Sequence, residues 1–136
     1  MGFTDKFRAQ HEEILAVARE ITQRLQQPGL DAPLLRKLLS NLAGKVSFHL
    51  AMEDDALYPR LKGQQDSRAN QMATKFMTEM GGLAAVFAAY NAKWQVSAIK
   101  ADPERFAEET RKVFGALAHR IQRENKELYP LADVGT

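Results

Sequence analysis

The sequence predicts an all-α protein, an antiparallel up-and-down four-helix bundle. Three observations carry that prediction. Apolar residues recur in steps of three and four along four segments. No stretch shows the alternation of a half-buried strand. Prolines, glycines and aspartates punctuate the chain so that the segments are long and the connections short, the pattern of neighbouring antiparallel helices.

The first segment carries the stripe Phe3, Phe7, His11, Ile14, Ala18, Ile21, Leu25 and closes at Pro28 with Gly29. Asp31 opens the second, whose stripe is Leu35, Leu38, Leu42, Val46, His49, Glu53, Leu57, and Pro59 and Gly63 are read as its end. The third starts somewhere in 64–68 and runs Met72, Phe76, Met80, Leu83, Phe87, Tyr90, Trp94. Asp102 followed by Pro103 opens the fourth: the carboxylate accepts from free amides, and proline fills a position that needs no donor. Its stripe is Phe106, Thr110, Val113, Leu117, Ile121, Glu124, Leu128, with Pro130 read as the end. Gly81 and Gly82 in the third segment read as room at a site, a break, or a tolerated weak point.

With 136 residues, 45% of them hydrophobic and 26% charged, the chain is expected to form a single domain over 1–136. It has no apolar run near the ~20 residues of a membrane span and no secretory leader at Met1, so a cytoplasmic location and no membrane partner are expected. The 19 basic and 17 acidic residues are interspersed, which describes a solvated surface and not a nucleic-acid groove. The absence of cysteine excludes disulfides, thiolate zinc sites, iron–sulfur clusters and a cysteine nucleophile. Any metal must therefore sit on histidine and carboxylate.

Such residues stand on the apolar stripes. His11 alone reads as a hydrogen-bonded core histidine or as a ligand. Glu53 is harder to place as a bystander, because an isolated buried carboxylate costs several kcal/mol unless paired, protonated or metal-bound, and Glu124 is likewise an acid on an apolar stripe. His49 and Glu53, four apart, project from one helix face and can chelate one ion. Two histidines and two acids on three inner stripes form a nitrogen and oxygen set of the kind that binds non-haem iron or manganese in bundle cores. A structural polar cluster is the alternative.

The neighbourhood of the pair is echoed further on. His49, Glu53 and Leu57-Tyr58-Pro59 are matched by His119, Glu124 and Leu128-Tyr129-Pro130. With these residues the chain resembles the hemerythrin-like domains, a family named for its His-His-Glu cation-binding pattern, over essentially its whole length. The resemblance implies an antiparallel bundle around a non-haem di-iron centre, and one or two iron ions are expected in this chain. It implies that His11 is the first-helix ligand, that His49 and Glu53 are the second-helix ligand and a bridging carboxylate, and that Glu124 is the second bridge. His119 would be the fourth-helix histidine. On an ideal helix, however, residues five apart point about 140° apart, so His119 needs a π-bulge near Gly115 or before Glu124 to join. Otherwise it is an exposed histidine.

The third-helix histidines of the family are missing: Met80 stands at the inward position and reads as core filler, since a thioether is a soft ligand. Glu79 beside it points off the stripe. One metal position is thus complete and the other incomplete. Open coordination positions suit dioxygen or nitric oxide, so sensing, binding or iron handling is expected, and no constellation for hydrolysis or phosphoryl transfer is present. The alternative function is a metal-free, degenerate bundle acting as a regulatory or interaction module. A homo-oligomer is left open.

Overall fold

The structure, a computed structural model, describes residues 2–64 and 67–134. Helix α1 spans Asp5–Leu25, α2 Ala32–Met52, α3 Tyr58–Lys62, α4 Ser67–Lys93, α5 Val96–Ala101, α6 Pro103–Arg123 and α7 Tyr129–Val134. Two π-helical turns, Glu53–Leu57 and Glu124–Leu128, join α2 to α3 and α6 to α7 without a break. The expected start of the third segment falls partly on residues 65 and 66, outside the described residues. Helix α1 packs against α2 and α6, and α4 packs against α6 and α2, which closes the ring of a four-helix bundle.

The helix starts follow from their caps. Asp31 accepts from the Leu34 amide at 3.1 Å, and Asp102 accepts from the Arg105 amide at 3.1 Å. Gly29, at φ 72°, turns the chain after α1 in a conformation that other residues rarely adopt. Two of the expected helix ends need correction. Pro59 and Pro130 do not stop their helices but lie two residues past a π turn. A proline ring strikes the carbonyl four residues back in an α-helix; a wider turn placed just before it opens that space, and the helix continues. The π bonds run from the Tyr58 amide to the Glu53 carbonyl and from the Tyr129 amide to the Glu124 carbonyl.

All inward positions of the first and fourth stripes from Phe7 and Phe106 onward are buried. In α2, Leu39 takes the buried place expected of Leu38, which is half-buried, and in α4 Ala73 takes that of Met72. Met80 is buried, as core filler should be. Gly81 and Gly82 neither break α4 nor make room at a site: both are exposed, and a Cβ on either would meet nothing. No helix is long and apolar enough to cross a membrane, among the described residues.

The apolar core comes in two parts. One gathers Ile14, Ile21, Leu35, Leu42, Phe87, Phe106 and Ile121, the other Phe7, Leu57, Leu61, Phe76, Leu128 and Tyr129. His11 lies along α1 between Phe7 and Ile14, and Glu124 lies between Ile121 and Leu128. A polar layer therefore separates two greasy ones, and its side chains must satisfy one another.

Candidate metal centre

Three helical runs supply that layer. His11 comes from α1, His49 from the last turn of α2, Glu53 from the first residue of one π turn and Glu124 from the first residue of the other. All four are buried, between 0% and 4% exposed. One donor atom from each lies within 4.8 Å of the others, a group able to hold one metal ion. His11 Nε2 is 2.9 Å from Glu124 Oε1, and His49 Nε2 is 3.3 Å from Glu53 Oε2 and 3.9 Å from Glu124 Oε1.

The two imidazoles are aimed by partners on their far nitrogens. Asn125 Oδ1 lies 2.9 Å from His11 Nδ1, and Gln10 Oε1 lies 2.6 Å from His49 Nδ1. An amide oxygen can only accept, so each Nδ1 carries the proton and each Nε2 faces the cluster. This is the outer support that orients histidine ligands on metals. The arrangement is crossed: Gln10 adjoins His11 but supports His49, and Asn125 adjoins Glu124 but supports His11.

Tyr129 completes the centre. Its hydroxyl donates to Glu53 Oε2 at 2.6 Å and lies 3.1 Å from His11 Nε2 and 3.4 Å from His49 Nε2. Its ring stacks on His11 with centroids 5.2 Å apart. The preceding π turn accounts for its direction. In an α-helix a residue five past Glu124 points about 140° away from it. The turn closed by the bond from the Tyr129 amide to the Glu124 carbonyl returns it to the inner face.

The charges are strongly interdependent. Burial opposes a charge on Glu124, yet His11 and His49 outweigh it and hold its pKa down at about 2. Burial also opposes a charge on His49, but the hydrogen bonds that Glu124 and Glu53 accept from it, with their charges, push its pKa up to about 9. For Glu53 burial wins: its carboxyl is raised, with the Glu124 charge adding and His49 and Tyr129 opposing. Burial and the two carboxylates push the Tyr129 phenol upward. Glu53 Oε1 and Glu124 Oε2 are buried with no hydrogen-bond partner. A carboxylate oxygen with no donor in a dry interior is costly, and a cation offsets that cost: Arg120 Nε stands 3.7 Å from Glu124 Oε2, while Glu53 Oε1 lacks any hydrogen-bond donor.

The structure does not bring His119 to this group. No π turn forms at Gly115 or before Glu124, because the wide turn begins at Glu124 itself, and His119 is exposed. The neighbouring residue turns inward instead. Arg120 is 5% exposed, with Nε 3.7 Å from Glu124 Oε2. Its guanidinium donates to Glu79 Oε2 at 3.2 Å and to the Phe76 carbonyl, and lies 4.2 Å over the Phe76 ring. Glu79, also bonded by Arg123 at 2.6 Å, is turned to these arginines and not to the four-residue group. Sequence reasoning missed Gln10, Asn125, Tyr129 and Arg120. A signal existed for two of them, since Tyr129 and Arg120 belong to the repeated segment.

A family model described as the hemerythrin HHE cation binding domain matches residues 2–132. No curated protein and no solved structure matches the chain.

Proposed function

The chain belongs to the hemerythrin HHE cation-binding family, and on that premise we propose that it binds non-haem iron through His11, His49, Glu53 and Glu124 and uses the ion in dioxygen or nitric oxide sensing or binding, or in iron handling. One observation carries the reading. Two imidazole nitrogens and two carboxylate oxygens from three helical runs converge within 4.8 Å in a buried layer, while the second oxygen of Glu53 lacks any hydrogen-bond donor.

The donor set suits iron, since imidazole and carboxylate together favour a borderline to hard ion. Bound there, iron would supply open coordination positions and one-electron chemistry toward a small diatomic ligand. The chain's own residues set the conditions for that binding. Asn125 and Gln10 hold the proton on Nδ1 of each histidine and aim Nε2 inward, so that Nε2 is the nitrogen that gives up its proton to an ion. Tyr129 holds Glu53 by its hydroxyl, and the apolar layers on either side keep bulk water from the donors.

The test is bound iron per folded chain in protein made without an affinity tag in iron-supplemented medium, compared with a His49→Ala/Glu53→Ala double variant. Wild type should carry iron and the variant should lose it. Addition of nitric oxide to the ferrous protein should then give a new visible absorption absent from the variant. Equal iron in a folded variant would refute the donor set.

A further inference from the structure

The repeated segments align at a constant offset of 71 residues: His49 on Arg120, Glu53 on Glu124, Leu57 on Leu128, Tyr58 on Tyr129 and Pro59 on Pro130. His119 is one position out of that register. Both repeats fold alike, each glutamate opening a π turn and each tyrosine closing it. The residue four before each glutamate is buried in both, but one is an imidazole and the other a guanidinium.

The two sides of the centre differ accordingly. Nε2 of His11 and of His49, the Tyr129 hydroxyl, Glu53 Oε2 and Glu124 Oε1 gather on one side. Glu124 Oε2 faces Arg120 Nε at 3.7 Å on the other. Buried Tyr58, the counterpart of Tyr129, feels the charges of Glu53, Glu124 and Arg120. Helix α4 adds no nitrogen ligand there. It offers the Phe76 ring and carbonyl and the Glu79 carboxylate, and all three are engaged by Arg120. A guanidinium is always charged, donates only and coordinates no metal.

We propose that Arg120 is a built-in second cation: its guanidinium takes the place of a second metal ion beside Glu124, so the centre holds one ion, on the His11 and His49 side. The inference rests on the metal-binding reading above and refines it. Arg120 neutralises the outer oxygen of Glu124, is itself balanced by Glu79, and repels a second divalent ion from that side of Glu124.

Metal-free protein titrated anaerobically with Fe(II), and separately with Mn(II), followed by elemental analysis of the gel-filtered protein, should saturate at one ion per chain. Arg120→His, which places an imidazole in the register of His49, should raise saturation to two. After oxidation, the wild-type iron should give the electron paramagnetic resonance signal of an isolated ferric ion accounting for all bound iron. Two ions in wild type, or a silent coupled pair, would overturn the inference and leave the metal-binding reading intact. A variant that keeps its helical circular dichroism and still saturates at one ion would also overturn it. No ion in folded wild type would remove the metal-binding reading itself, and this inference with it.

Discussion

Glu124→Gln in the metal-free protein isolates the electrostatic work of one carboxylate at nearly constant size. Wild-type Glu124 is 2% exposed and stands 2.9 Å from His11 Nε2, 3.9 Å from His49 Nε2 and 3.7 Å from Arg120 Nε. Its pKa falls from 4.5 to about 2 on folding, which at ~1.4 kcal/mol per unit is about 3 kcal/mol of stability. Removing one partner of a buried ion pair costs about 3–5 kcal/mol by a separate route. Glutamine keeps an oxygen that can accept a hydrogen bond, so the lower figure, about 3 kcal/mol, is expected. The sign fixes the pH window: a depressed carboxylate stabilises fully above its unfolded value of 4.5 and loses that contribution as pH falls toward 2. Urea unfolding of chelator-treated proteins, followed by far-ultraviolet circular dichroism, should show a midpoint lower by roughly 1–3 M near neutral pH, for slopes of about 1–3 kcal/mol per molar. The gap should narrow as pH drops below 4.5. A loss below about 1 kcal/mol near neutral pH, or a gap that stays constant into acid, would refute the electrostatic assignment.

Two further outcomes follow from the same structure. His49 must be neutral to ligate, yet its folded pKa is pushed from 6.5 up to about 9; iron affinity measured at several pH values should therefore rise about tenfold per unit across that window, with one proton released per ion, and a flat profile would exclude His49 as the displaced acid. Asp31→Ala removes the carboxylate that accepts from the Leu34 amide at 3.1 Å and should cost about 1 kcal/mol in unfolding experiments while leaving bound iron unchanged.

The helices were legible in the sequence because the period of an α-helix is a geometric constant, and burial of one face imposes it on residue choice. His11, His49, Glu53 and Glu124 were legible for the same reason: each sits on an apolar stripe and all four reach the buried layer. Pro59 and Pro130 misled because proline ordinarily ends a helix, and only the π turn before each lets the helix pass. His119 misled through its residue type. Register, and not chemistry, decides which side chain points inward, and the register places Arg120 there. Gln10 and Asn125 gave no signal at all, because their partners lie across the bundle and not along their own helices. Leu38 and Leu39 stand about 100° apart on the helix, one on each side of the stripe, and contacts between helices decide which of them is buried.

The most direct measurement is an anomalous difference map, collected at the iron absorption edge, from crystals of the iron-loaded protein. A single peak within bonding distance of Nε2 of both His11 and His49 and of the carboxylates of Glu53 and Glu124 is the predicted result. A peak away from that layer, for example at the exposed His119, or no peak in folded protein supplied with iron, would contradict it.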